Sequence, residues 1–149
     1  MDSVDKKIIA LLKQNARMTA SEIAGKVHLS VPAAAERLKK LDRTGIIDQY
    51  TIKLNRKKLG LNLMAYIEVT IDQKAYQEEL RETLHNFKAA MNQSDNVLEC
   101  YHIAGEYDFM LKVLVTDTDG LEDFIVNYLK KTPGIIRTKT VITLGALKE

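Results

Sequence analysis

Four cations crowd one short stretch of this chain: Arg37, Lys39, Lys40 and Arg43 fall close together in sequence. Pro32 and Ala33, both compact, stand just upstream, and Glu36 lies between the two groups. On a helix turning about 100° per residue, Pro32, Ala33, Glu36, Lys40 and Arg43 share one side, flanked by Arg37 and Lys39. Arg and Lys reach phosphates and base edges, while small side chains let a helix sit deep in a major groove. The chemistry this stretch suits is recognition of double-stranded DNA.

Residue sets that carry catalysis do not assemble in the same way. His28, His85 and His102 are scattered, and Cys100 with His102 is the only close Cys/His pair. Two ligands fall short of the four a structural zinc site wants, so both read as packing residues on a strand. The sequence contains no Gly-rich phosphate loop, no G-x-S-x-G and no H-E-x-x-H. It therefore predicts no enzyme, no metal and no resident cofactor.

Composition sets the frame. Hydrophobic residues make up 46% and charged residues 28%, ordinary for a folded chain. The single cysteine excludes an internal disulfide and suits a reducing cytosol. No apolar run nears the roughly 18 residues of a membrane span. The start, MDSVDKKIIALLKQ, puts acids ahead of lysines and interrupts its apolar stretch with Lys13, unlike a secretory signal. A cytoplasmic, nucleoid-associated protein without a membrane partner is expected. Charge is divided unevenly: residues 1–60 hold 13 Lys/Arg against 6 Asp/Glu, and residues 61–149 hold 9 against 14. That asymmetry points to a polyanion partner for the first part only.

The elements that must position the cations follow from periodicity. Val4, Ile8, Leu11 and Leu12 predict a helix over Val4–Gln14. Thr19 and Glu22 form a T-x-x-E capping box at the start of a second, short helix that buries Ile23, Ala24 and Val27. His28-Leu29-Ser30 closes it, and Ser30 caps a third helix with Pro32 in its first turn. That helix runs to Thr44 and stops at Gly45, with Val31, Ala34, Ala35, Leu38 and Leu41 on its inner side. Two helices so closely joined form a helix-turn-helix, and the three-helix domain, residues 1–45, is winged-helix-like. Thr19 and Ser30, at the two caps, are counted with the DNA-facing residues.

From Asp48 the period becomes two, with Tyr50, Ile52 and Leu54 on one face, so residues 46–62 read as a linker strand. The basic cluster Arg56-Lys57-Lys58 lies within it. Residues 63–149 then spell a β-α-β-β-α-β unit, the order of a ferredoxin-like fold. Leu63, Ala65, Ile67, Val69 and Ile71 alternate, and a helix from Lys74 to Asn92 is carried by Tyr76, Leu80, Leu84, Phe87 and Met91. Strands are expected at Val97–Ala104 and Tyr107–Val115, a helix on Leu121, Phe124, Ile125, Tyr128 and Leu129, and a last strand at Ile135–Leu144. Gly105-Glu106 between the middle strands reads as a two-residue hairpin turn. The overall class is α+β.

Helices on one side of such a sheet leave the other side open. Met64, Tyr66, Leu98, Met110 and Leu114 are expected there, an apolar patch that a second copy of the sheet would cover. A homodimer is the expectation.

The whole chain resembles the Lrp/AsnC, or feast/famine, family of regulators. The matching pieces are V-D-K-K-I-I at 4–9, S-E-I-A at 21–24, L-S-V-P-A-A-A-E-R-L-K-K-L at 29–41, G-I-I-D-Q-Y at 45–50, G-E-Y-D at 105–108 and P-G-I-I-R-T-K-T at 133–140. The resemblance implies a sequence-specific, DNA-binding transcriptional regulator that dimerises and assembles to tetramers or octamers through its C-terminal domain. It also implies a free amino acid as effector, held between dimers near the Gly105-Glu106-Tyr107-Asp108 loop. Ile103, Thr118, Val141 and Thr143 are further effector candidates by position. The rival reading is an architectural protein that compacts DNA without a ligand.

Overall fold

A computed structural model describes residues 1–72 and 77–147, which divide into two compact units, Met1–Leu54 and Asn55–Glu149. The first unit holds helices α1 (Ser3–Gln14), α2 (Ala20–Val27) and α3 (Val31–Arg43). Their inner faces bury Ile8, Ile23, Ala24, Val27, Ala34 and Leu41. Each fully buried Ile or Leu stabilises such a small unit by roughly 1.5–3 kcal/mol. Asp2 and Asp5 form a reciprocal capping box at the head of α1, and Thr19 with Glu22 does the same for α2. At the far end of α3, Gly45 adopts φ +68, and the Ile46 N–H turns back to Leu41 O at 3.1 Å. A residue with a Cβ would be strained there.

The strand expected over 48–54 does not form. Those residues belong to no sheet among the described residues, and Tyr50, Ile52 and Leu54 are exposed, the Tyr50 hydroxyl donating to Asp42 Oδ1 at 3.1 Å. Alternation supplies a face, but a strand also needs a neighbour to take its N–H and C=O groups, and none of the described residues pairs with 48–54. Residues 56–59 form a 3-10 turn instead. The expected linker, 46–62, thus straddles the division between the units.

The second unit is a four-stranded antiparallel sheet, β1 (Leu63–Ile71), β2 (Val97–His102), β3 (Phe109–Val115) and β4 (Ile135–Ile142), in the order β2-β3-β1-β4. That order and the helices α4 (Gln77–Gln93) and α5 (Thr118–Asp123) make the ferredoxin-like arrangement. The expected helix start at Lys74 and the contribution of Tyr76 lie outside the described residues. Strict alternation on β1 and β3 sends Ala65, Ile67, Val69, Phe109, Leu111 and Val113 toward the helices. There they meet Phe87, Met91, Leu121, Phe124 and Leu129, and the Phe87 and Phe109 rings pack with centroids 4.6 Å apart. After α5 the chain widens into a π turn over Phe124–Tyr128 and tightens into a 3-10 turn over Leu129–Lys131. The apolar face survives this change, because Phe124 and Leu129 stay buried and Ile125 and Tyr128 stay packed against the core.

The open face differs from its expected apolar patch in two ways. Met64, Tyr66 and Met110 are half-buried there, but Leu114 is already buried within the chain, and Leu98 falls at a register shift between Val97 and Glu99. Charged pairs also cross the face: Glu68 with Lys139 at 2.8 Å and Glu99 with Lys112 at 2.9 Å. The Lys112 ammonium, then the Tyr101 hydroxyl, hold the Glu99 carboxyl below its usual range.

Candidate nucleic-acid interface and effector loop

The turn between α2 and α3 is built by two caps and one left-handed residue. His28 ends α2 at φ 57, and the Leu29 N–H reaches back to Ala24 O at 3.0 Å. Ser30 Oγ then accepts from the Ala33 N–H at 3.4 Å, and Pro32 occupies the first turn, where no N–H is needed. Glu22 Oε2 accepts from the Thr19 N–H at 2.7 Å and from Thr19 Oγ1 at 2.8 Å, which lowers the Glu22 carboxyl, the N–H most; Thr19 Oγ1 accepts in turn from the Glu22 N–H. Thr19 and Ser30 are therefore engaged in shaping the helix ends.

With Ala34 and Leu41 buried, the opposite side of α3 faces out. Pro32, Glu36, Lys39, Lys40 and Arg43 are exposed on it, and Ala33 is half-buried. Arg37 departs from that group. Its Nη1 donates to Asp2 Oδ2 and to Asp5 Oδ1, each at 2.6 Å, so the guanidinium ties α3 to the head of α1. Asp5 is 2% exposed. Two carboxylates thus offset the Arg37 charge, while Lys39, Lys40 and Arg43 stand exposed on the outer side. The Asp2 carboxyl is lowered to about 2, by the Asp5 N–H first and Arg37 second. The sequence signal for this clamp is the D-x-x-D spacing at residues 2–5, a capping pattern that a count of charges passes over.

At one end of the sheet, residues 103–108 link β2 to β3. They are not a two-residue turn: the Ile103 N–H donates to Asp108 O at 2.8 Å, and Gly105 has no left-handed φ. Asp108, just before β3, is bound to the neighbouring β1: its N–H donates to Val69 O at 2.9 Å, and its Oδ2 accepts from the Ile71 N–H at 2.9 Å. Tyr107, expected on the helix side with Phe109, lies instead beneath Arg137 and Lys139, which sit 4.8 and 5.6 Å from its ring centroid. Glu106 stands out from the loop and pairs with Arg137 at 2.9 Å, both side chains mostly exposed. Gly105 is exposed, and a Cβ on it would meet open space within the chain.

The remaining effector candidates do not join this loop. Ile103 is at its edge and half-buried. Thr118 opens α5, beyond the far end of β3; Val141 and Thr143 lie beside Tyr66 and Met64, also toward that far end. Seven residues of β3 separate the two ends, on the order of 20 Å. No single amino acid spans that within one chain. Thr143 is also occupied, since its N–H and its Oγ1 both donate to Met64 O at 2.9 Å.

His28, His85 and Cys100 are exposed and separate, while the His102 ring stacks on Phe109 at 5.0 Å. Among the described residues no group of three His, Cys, Asp or Glu side chains could hold a metal. No described helix is long and apolar enough to cross a membrane.

A capped helix-turn-helix with a cationic outer side, followed by a βαββαβ domain, defines a two-domain DNA-binding transcriptional regulator. Residues 1–42 match the AsnC-type helix-turn-helix domain, and residues 64–149 match the Lrp/AsnC ligand binding domain. This chain belongs to the Lrp/AsnC family, whose members are transcriptional regulators and not enzymes. It is 35% identical to the HTH-type transcriptional regulator LrpC of Bacillus subtilis (strain 168) over 125 residues, 84% of this chain and 81% of that one. A transcriptional regulator from Neisseria meningitidis, solved as its L-Met complex, superposes with a TM-score of 0.93 at 30% identity, covering 100% of this chain and 93% of that one. The feast or famine regulatory protein of M. tuberculosis, solved with L-methionine, gives 0.83 at 26% identity, covering 99% and 95%.

Proposed function

We propose that this protein is a sequence-specific transcriptional regulator whose DNA affinity responds to a free amino acid bound by its C-terminal domain. The observation that carries the DNA half is the outer side of α3, where Pro32 and Ala33 leave room near the N-terminus and Lys39, Lys40 and Arg43 follow. Such a helix enters a major groove by its N-terminal end and meets phosphates with its cations. The effector half rests on the matched ligand binding domain and on the loop at Gly105–Tyr107, which presents Glu106 beside Arg137. Two relatives solved with L-methionine place that amino acid first on the list of ligands to try. In this reading copies pair through the open sheet face, and higher assemblies bring the loop against a second dimer.

One experiment tests both halves. Full-length protein is titrated onto a duplex selected from a random library, with and without each of the twenty amino acids. Binding to the selected duplex at least a thousandfold tighter than to mixed DNA, shifted by an amino acid, is the expected result. Equal affinity for every duplex and no amino-acid effect would support a ligand-free architectural role instead.

A further inference from the structure

Between Asp48 and Glu68 the chain carries Lys53, Arg56, Lys57 and Lys58 and no acid at all. From residue 59 onward the same chain holds 9 Lys/Arg against 14 Asp/Glu. The basic run therefore stands at the entry to an otherwise acidic unit, where general solvation gives no reason for cations alone.

Its backbone is a built platform, not a loose tether. Asn55 Oδ1 accepts from the Lys58 N–H at 3.1 Å and caps the 3-10 turn Arg56–Leu59. Gly60, at φ +76, closes the other end: its own N–H reaches Lys57 O at 3.1 Å, and the Leu61 N–H reaches Arg56 O at 3.0 Å. The Asn62 N–H then donates to Thr116 O at 3.3 Å, fastening the turn to the end of β3. Arg56 leans back over Met64 Sδ at 3.9 Å, and its charge contributes to lowering the Glu99 carboxyl. Lys57 and Lys58 turn outward, exposed, with no acidic partner among the described residues.

We propose that this turn is a second DNA contact, in which Lys57 and Lys58 bind backbone phosphates outside the footprint of α3. The inference rests on the DNA reading of α3 and extends it. Lysine ammonium groups are compact point charges suited to phosphate and indifferent to base sequence. Residues 44–55 join the turn to α3, a reach of roughly 40 Å at most when extended. A duplex held by α3 presents a phosphate about every 3.4 Å along each strand, so many lie within that reach at high effective concentration. Fixing the backbone that carries the two lysines lowers the ordering cost of the contact. The contact adds affinity and salt sensitivity, and no specificity.

The test measures binding of the full-length chain to a selected duplex and to a long duplex of mixed sequence, each over a range of salt. For the double substitution Lys57→Ala, Lys58→Ala, the slope of log K against log salt should flatten by about 1 to 2 units. Affinity near 0.1 M salt should fall at least tenfold, equally on both duplexes. Lys57→Glu, Lys58→Glu should fall further, while melting temperature stays at the parent value because both side chains are exposed. A parent slope and affinity in both variants overturns the proposal. So does binding to vesicles rich in anionic lipid that the substitutions abolish while DNA binding is untouched. Loss of the slope with Lys40→Ala, Arg43→Ala but not with the turn variants would keep α3 as the reader and reject the turn. A parent that binds no duplex would instead reject the DNA reading itself.

Discussion

Arg37 Nη1 donates to Asp5 Oδ1 at 2.6 Å, joining the middle of α3 to a buried carboxylate in the first turn of α1. Asp2 Oδ2 accepts from the same nitrogen, and Asp2 Oδ1 accepts in turn from the Val4 and Asp5 N–H groups. One guanidinium thus ties both acids of the α1 capping box to α3. Replacing either partner alone strands the other charge near the core.

Substitutions on α3 should therefore divide into two kinds. Lys40→Ala and Arg43→Ala should each weaken DNA binding on all sequences and flatten the salt slope by about one unit, with melting temperature unchanged. Arg37→Ala should lower the melting temperature of the helical unit and shift its α1 amide signals. Salt titrations beside thermal melts separate the two. A stable Arg37→Ala protein with a flatter slope would return Arg37 to the DNA face.

The clamp also predicts an acid limit. Asp2 is held at about 2 against an ordinary 3.8, and Asp5 is shifted in the same direction by the Asp2 N–H and Arg37. A folded-state pKa below the unfolded one stabilises the fold above the unfolded value, and that stability fades as pH falls from about 4 toward 2. Melts of the helical unit should lose stability across that window, and the loss should be smaller in Asp2→Asn. Equal acid profiles for parent and variant would mean that the Asp2 contacts do not persist in solution.

What the sequence discloses, and what it conceals, has one physical source. Caps and periods are local, so Thr19, Ser30, Gly45 and the alternation of β1 can be read from residues a few positions apart. The Arg37 clamp joins residues 32 and 35 positions apart; the local D-x-x-D spacing marks its acidic half as a cap, and nothing local marks the cation that joins it. Residues 48–54 show the converse, a clear local period without the neighbour a strand requires. Asp108 was legible as a polar residue near a turn, but its bond to Ile71, 37 residues away, belongs to the sheet. Of the effector candidates, the loop is contiguous in sequence and in space, while Thr118, Val141 and Thr143 fall toward the other end of the strands.

Gly134 should be intolerant of any side chain. It adopts φ +86, and a Cβ there would lie 2.2 Å from Thr83 Cγ2 on α4. Thr is β-branched, so Thr83 must change rotamer or α4 must shift. Gly134→Ala should destabilise the C-terminal unit by about 2 kcal/mol or more, read from denaturant unfolding. Thr83→Ala, Gly134→Ala should recover part of that loss; no recovery would assign the whole cost to the backbone angle.

The open face should control assembly. Met110 is half-buried beside Glu68 and Tyr101, with no cover from the chain's own helices. Burying an added charge between two sheets costs several kcal/mol, so Met110→Lys should shift the full-length chain to monomer in sedimentation equilibrium. An unchanged mass distribution would place the contact between copies on another surface.

The effector loop allows its two acids to be told apart. Asp108 Oδ2 accepts from the Ile71 N–H, whereas Glu106 is exposed and pairs with the exposed Arg137. A ligand ammonium would meet Glu106 first, since displacing a solvated surface pair costs little. A charge-assisted hydrogen bond contributes about 1.5–3 kcal/mol, so Glu106→Gln should weaken amino-acid binding roughly 10- to 100-fold and leave stability unchanged. Asp108→Ala leaves the Ile71 N–H without its acceptor; it should lower stability by about 1–3 kcal/mol and disturb the loop with it. Asp108→Asn keeps an acceptor oxygen and should restore most of that stability. Calorimetry with L-methionine, or with whichever amino acid shifts the melting temperature, measures all three variants. Parent-like affinity in Glu106→Gln together with lost affinity in a stable Asp108→Asn would make Asp108 the partner of the ligand and Glu106 a bystander.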